Sequence, residues 1–522
     1  MLIEFISKDV YKNKKGEDIM KMFKNGLFYI AMLCIPSITF AEEAIGIDQK
    51  IDQFFSTYLG WFASTIFYGI KIEDGVTFPL IVGWLILAAI IFTFYFGFNQ
   101  FQRFGLSIDI VRGKFSNPEH KEPGEVSHFQ ALTTALSGTI GLGNIAGVGV
   151  ALAIGGPGAT FWMILSGLFG MASKFTECTL GVKYRNENAD GTVSGGPMYY
   201  LSKGFKEKGY AKTGKYLAIG FAIMTIFSSL GAGNLFQGNQ ANAMLVQTFG
   251  IAPGYGWVTG VVLAVLVGGV IIGGMPSIGS VTSKLVPFMG TLYVVMTLIV
   301  LISHYDQIGG AIEQIFTGAF TGAGVAGGFV GALIQGLKRA TFSNEAGVGS
   351  TAIAHSAAKT DEPISEGFVS LLEPFIDTVL ICTMTALVIT ISGMNTGELS
   401  GVNLTSAAFT ETSAIFEYLL ALVVVMFAFS TMISWSYYGL KAWTYLFGEG
   451  KKTELVYKGM FCSFVVVGTS ISLSAAIDFS DAAMFAMSIF NIIGLYFLMP
   501  IVKAELKSFI ARVDSGEIKK YR

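Results

Sequence analysis

Apolar runs of about 20 residues or more, the length that crosses the hydrocarbon core of a bilayer, recur along most of this sequence. They lie near 78–98, 128–155, 158–182, 215–248, 255–274, 277–303, 327–355, 366–392, 414–447, 456–475 and 481–502, separated by shorter polar stretches. The pattern predicts eleven transmembrane helices and an all-α integral membrane protein. Composition agrees, because 52% of the 522 residues are hydrophobic and only 13% are charged, outside the usual range of soluble domains. A net charge of −2 offers no electrostatic footprint for nucleic acid.

Upstream of the first span, Lys21 and Lys24 precede an apolar run from Leu27 to Ile35, then Thr39-Phe40-Ala41 and two acids. That order predicts a cleavable signal peptide over 20–41, with residues 1–19 an upstream extension and 42–77 a periplasmic segment. Lysine and arginine then sort the loops. Those near 99–126, 183–215 and 448–458, and the tail after 502, are rich in one or both. The loops at 249–254, 304–326, 393–413 and 476–480 contain neither. The positive-inside rule therefore puts the mature N-terminus outside and the C-terminus in the cytoplasm, as 504–522.

With the helix at 78–98 set aside, ten spans divide into five over 127–303 and five over 327–503, offset by close to 200 residues. An odd number per half forces opposite orientations, so the halves form an inverted repeat. The first helix of each half is interrupted. "SGTIGLGNIAGVG" (137–149) carries Gly141-Leu142-Gly143-Asn144, and "TFSNEAGVGS" runs from Thr341 to Ser350 at the matching offset. Unwound backbone in hydrocarbon is costly unless a cavity, ion or ligand satisfies it, and paired interruptions point to a transporter binding site. Carbonyls before Gly141 suit a hard cation such as Na⁺, and amides after Gly143, at the positive end of a half-helix, suit a carboxylate.

Gly141, Gly143 and Ala146 also match G-x-G-x-x-A, but the dinucleotide fingerprint needs a strand before it and a soluble βαβ unit. Close packing through small residues explains the glycines, yet neither Asn144 nor the second break. "GNLFQGNQANA" is polar for a span, with Asn234, Gln237 and Ala241 on one face. Thr431 and Trp435, spaced i, i+4, share a face of another. Ionisable groups within spans are functional by default; among those within or near spans here are Lys174, Glu177, Glu345, Glu373 and Asp377. Glu345 can accept amides freed by the breaks. Lys174 and Glu177, spaced i, i+3, read as a local structural pair near the basic loop. His120, His128, His304 and His355 are scattered and read as loop or packing residues; the four cysteines lack metal or disulfide spacing.

The region "TIGLGNIAGVGVALAIGGPGATFWMILSGLFGMASKFTECTLGVKYR", with "SGGPMYY" and "FSNEAGVGSTAIAHSAA", resembles the alanine/glycine:cation symporter family, the sodium:alanine symporters. The match spreads over most of 127–447, with Thr160 and Ile164 as departures on one helix. The resemblance implies a LeuT-type fold, a 5+5 inverted repeat preceded by one extra helix, and Na⁺-coupled uptake of small amino acids. It implies a substrate site at Gly141, Gly143, Asn144, Gln237, Thr431 and Trp435. For Na⁺ it implies backbone carbonyls of Ser137, Ile140 and Phe427 and hydroxyls of Ser430 and Thr431.

Together these readings predict a symporter of alanine or glycine in a bacterial inner membrane, with Na⁺ as coupling ion and no organic cofactor. A proton-coupled or differently specific amino-acid transporter, with Glu345 as proton carrier, is the alternative within the same architecture. An enzyme would need a nucleophile–base or metal cluster on facing helices, which the scattered histidines and cysteines do not supply.

Overall fold

The computed structural model describes residues 53, 57 and 60–521, apart from 74–75, 116–121, 189–190, 253, 322–327 and 395–398. The signal peptide expected over 20–41 lies outside them. A short antiparallel hairpin, β1 (Gly69–Glu73) and β2 (Val76–Pro79), leads into α1 (Leu80–Tyr95). Almost every residue of α1 is apolar, and such a helix is stable only where no face meets water.

After it come α2 (His128–Thr139), α3 (Val148–Gly155), α4 (Ala159–Lys183), α5 (Ala211–Leu230), α6 (Phe236–Phe249), α7 (Gly256–Ile271) and α8 (Gly274–Ser303). Further along are α9 (Gly328–Asn344), α10 (Ala352–His355), α11 (Pro363–Ser370), α12 (Thr383–Ile391), α13 (Ile415–Phe447), α14 (Lys451–Gly468) and α15 (Leu473–Asp514). Among the described residues, Ala211–Phe249, Gly274–Ser303, Pro363–Ile391, Ile415–Phe447 and Leu473–Asp514 are each long and apolar enough to cross a membrane, and the bent pair His128–Thr139 with Gly143–Gly155 adds a sixth. α4 is long, but small residues and the charged Lys174 and Glu177 dilute its apolar run; α9 carries Lys338 and Arg339 and stops at Asn344. α4 packs along α9 and α11, and α9 also along α3.

Both sequence interruptions are breaks in the helices. α2 starts on a capping box, in which the Ser127 hydroxyl accepts from the Gln130 amide and the Gln130 side chain accepts from the Ser127 amide. It ends at Ile140, whose ψ of 86° is not helical. The chain resumes as a π-turn over Gly143–Gly147, and α3 leaves bent by 47° from α2. The second break separates α9 from α10, with Glu345, Gly347 and Gly349 at φ of 57°, 85° and 90°. A non-glycine residue at positive φ is uncommon, and such strain clusters at functional sites. Two further π segments, Gly231–Leu235 and Phe375–Cys382, were not expected from sequence. α13 packs against α2, and the segment 375–382 against both breaks.

Candidate functional site

The first break is closed by side chains from other parts of the chain. Asn144 Oδ1 accepts from the Gly141 amide at 2.9 Å, and Gln237 Oε1 accepts from the Leu142 amide at 3.1 Å. Amides freed by unwinding are thus satisfied in a region where water cannot serve. Gln237 is in turn held by the Ala232 carbonyl, exposed by the π-turn in its own helix, at 2.9 Å. Gly141 has no room for a side chain: a Cβ there would lie 2.3 Å from Thr431 Oγ1 and 3.3 Å from Gln237 Oε1.

The second break repeats the device. Asn344, 200 positions after Asn144, accepts from the Ala346 amide at 3.0 Å and donates to Thr378 Oγ1 at 2.9 Å. Asn144 Nδ2 donates to the Asp377 carbonyl at 3.0 Å and to its carboxylate at 2.7 Å. Asp377 Oδ2 also accepts from Ser343 at 2.8 Å and Thr378 at 2.7 Å. A single carboxylate therefore ties the two breaks together, and a Cβ on Gly143 would come within 3.2 Å of Ser343 Cα. Glu345 accepts from Trp435 Nε1 at 3.0 Å and from the Ser350 hydroxyl. Its carboxylate binds side chains, where the sequence reading had it accept freed amides.

α13 lies along α2 through three hydroxyl contacts. Ser137 Oγ donates to the Ser430 carbonyl at 2.7 Å, Thr431 Oγ1 to the Ser137 carbonyl at 3.0 Å, and Ser434 Oγ to the Thr134 carbonyl at 2.9 Å. Ser430 Oγ donates to the Phe427 carbonyl at 2.9 Å. The carbonyls of Ser137 and Phe427 and the hydroxyls of Ser430 and Thr431 thus stand at one contact between α2 and α13, and Ile140 turns out of the helix just beyond it. Neutral oxygen donors of this kind suit a hard monovalent cation.

Of the expected substrate residues, Gly141, Asn144, Gln237 and Thr431 meet at the first break. Trp435 reaches the second break through Glu345, and Gly143 sits where the breaks touch. All six are buried. Asn144 has both amide atoms engaged by protein. From sequence, Asp377 stands out only as an intramembrane acid, and Ser343, Thr378 and Cys382, whose Sγ is 3.3 Å from Asn144 Nδ2, carry no signal of their own.

Two readings of the buried charges are corrected. Lys174 does not pair with Glu177: its ammonium lies 3.2 Å from Glu373 and donates to Thr351 Oγ1 at 2.5 Å, while Glu177 accepts from Asn491 at 2.8 Å. Both residues are fully buried, so neither reaches toward water; long-range partners replace the local one. His128 and His355 are not loop or packing residues. Glu366 contacts both imidazoles, and His355 Nε2 lies 2.5 Å from Glu373 Oε1.

Comparison with known proteins agrees with this architecture. The model of the sodium:alanine symporter family matches residues 66–522. The sodium/alanine symporter AgcS of Methanococcus maripaludis is 39% identical over 436 residues, covering 83% of this chain and 94% of its own. The probable sodium/glutamine symporter GlnT of Bacillus subtilis is 31% identical over 438 residues, 83% of this chain and 89% of its own. The putative sodium/proton-dependent alanine carrier protein YrbD of Bacillus subtilis is 33% identical over 427 residues, 78% and 85% respectively. With apolar helices, two broken helices joined at a buried polar site, and a family match from residue 66 to the end, this multi-pass membrane protein belongs to the sodium:alanine symporter family.

Proposed function

We propose that the protein is a secondary active transporter that carries a small neutral amino acid, alanine or glycine, into the cell with Na⁺. The observation that carries this reading is the meeting of Gly141, Gln237 and Thr431 at the first break, with Thr431 also bonded to the Ser137 carbonyl. A substrate carboxylate would take amides after Gly143, at the start of the half-helix, where the dipole favours an anion. Na⁺ would take the carbonyls of Ser137, Ile140 and Phe427 and the hydroxyls of Ser430 and Thr431, whose hydrogens must turn away from the carbonyls they now face. Trp435 limits the side chain that fits, and Asn144 holds the break in shape from behind, through Gly141 and Asp377. Thr431 belongs to both sets, so each ligand orders groups that the other uses, and the linkage is reciprocal.

In this reading the chain is a LeuT-type 5+5 inverted repeat over 127–303 and 327–503, with one extra helix before it. The basic loops face the cytoplasm of a plasma membrane. Alternating access rocks one group of helices around the site. The second reading, proton-coupled or differently specific transport, rests on Glu345, a buried carboxylate bonded to Trp435. Uptake of a labelled amino-acid panel into proteoliposomes separates them. The main reading expects alanine and glycine to accumulate under an inward Na⁺ gradient. Accumulation that follows a pH gradient and ignores Na⁺ favours the second, and accumulation of neither amino acid rejects the first.

A further inference from the structure

A second polar centre adjoins the second break, where Lys174 also donates to Thr351. His355, on α10, has its Nδ1 against Glu366 of α11 and its Nε2 2.5 Å from Glu373, and all three side chains are fully buried. Glu366 also contacts His128 Nδ1, at the start of α2. Lys174 of α4 completes the row, 3.2 Å from Glu373 Oε2.

Proton counting constrains this row. An ionised carboxylate only accepts hydrogen bonds, and a neutral imidazole donates only one. His355 facing two carboxylates therefore needs one proton more than a neutral histidine brings. Lys174 and an imidazolium balance Glu366 and Glu373, two charges against two, the arrangement that a buried set of ions requires. The other groups facing the row are Glu177 and Cys178 from α4, Glu345 from the second break, Tyr438 from α13, and Glu122, ahead of α2, beside His128. Glu177 is engaged by Asn491, and Glu345 by Trp435 and Ser350.

We propose that His355 with Glu366 and Glu373 is a proton-binding site that locks the half of the pathway on the side of the basic loops, with His128 as its route to water. The His128 side chain is 10% exposed, against none for the other members. Loss of the proton turns one N–H into a bare lone pair facing a carboxylate and leaves an unbalanced charge. The ties between α10, α11 and the Glu373 segment then weaken. The locked state binds the proton more tightly than the open one, so low pH on that side holds the lock and rising pH releases it. With one proton linked, the equilibrium moves by at most about tenfold per pH unit. That this side is cytoplasmic rests on the orientation proposed above.

The sequence has four histidines, so a full-length chain labelled with ¹⁵N-histidine gives four imidazole signals. The one lost in His355→Gln is expected to carry protons on both nitrogens near neutral pH, to lose one at alkaline pH, and to shift its titration in Glu366→Gln. A His355 with one bare nitrogen throughout pH 5 to 9 overturns the site. In oriented proteoliposomes, alanine uptake is expected to rise with pH on the basic-loop side, up to tenfold per unit, and to lose that dependence in His128→Gln. A pH profile unchanged by His128→Gln overturns the exit route. Absence of alanine uptake at every pH beside an intact imidazolium signal rejects the transport reading and leaves the proton site standing.

Discussion

A side chain at position 141 has nowhere to go, since its Cβ would fall 2.3 Å from Thr431 Oγ1. Gly141→Ala must push Thr431 away from the Ser137 carbonyl, at an overpacking cost of about 1–3 kcal/mol. Its main effect is expected on transport, with alanine uptake falling more than tenfold while the purified protein still elutes as a single folded species. Asn144→Ala acts differently. It strands the Gly141 amide and one lone pair of Asp377, and each buried unsatisfied group costs about 1–3 kcal/mol. A lower melting temperature in detergent is expected, accompanied by loss of uptake; a variant as stable as the parent would contradict the role as a brace. The break was legible in the sequence because small-residue packing accounts for its glycines but for neither Asn144 nor the matching interruption at 341–350. The aim of Asn144 was not, since Asp377 lies 233 positions away.

Each break depends on a helix from elsewhere in the chain. The first uses a π-turn at Gly231–Leu235, whose freed Ala232 carbonyl orients Gln237, and the second uses the π segment Phe375–Cys382, which carries Asp377 and Thr378. Apolar run length predicted eleven spans, and among the described residues five helices, or six with the bent pair, are long and apolar enough to cross; π segments have no periodicity of their own to betray them, and partners of buried charges are fixed by packing. Lys174 finds Glu373, distant in sequence, where an i, i+3 rule offered only Glu177. Arg339 of α9 and Asp481 of α15 make a comparable tie, both 1% exposed, with Lys338 3.4 Å from the same oxygen. Asp481→Asn leaves a buried guanidinium uncompensated, and breaking such a pair costs about 3–5 kcal/mol. Thermal denaturation is expected to show a larger loss for Asp481→Asn than for exchange of the exposed Asp514, which pairs with Arg103.

Across the whole molecule, the end of the chain returns to the basic side. Arg512 pairs with Glu362 at 2.6 Å, the Tyr521 amide donates to the Lys114 carbonyl at 2.7 Å, and Lys114 and Lys520 flank Asp109. Hydrogen bonds from Lys114 and then Lys520 hold the Asp109 carboxyl below its ordinary value. A depressed carboxylate contributes above its unfolded pKa and loses that contribution as pH falls through the folded one. The tail is therefore expected to loosen on acidification below about pH 4. A spin label at the exposed Glu517 should become more mobile there, and already at neutral pH in Asp109→Asn; mobility indifferent to both changes would detach Asp109 from the docking.

The proposed transport depends on one linkage, that Na⁺ and substrate share the first break through Thr431. Equilibrium binding of labelled alanine to the purified full chain, at graded Na⁺ with ionic strength held constant, tests it directly. Alanine affinity is expected to rise with Na⁺, Na⁺ affinity to rise with alanine by the same factor, and that factor to shrink toward unity in Ser430→Ala. Alanine binding that is saturable yet indifferent to Na⁺ would contradict it.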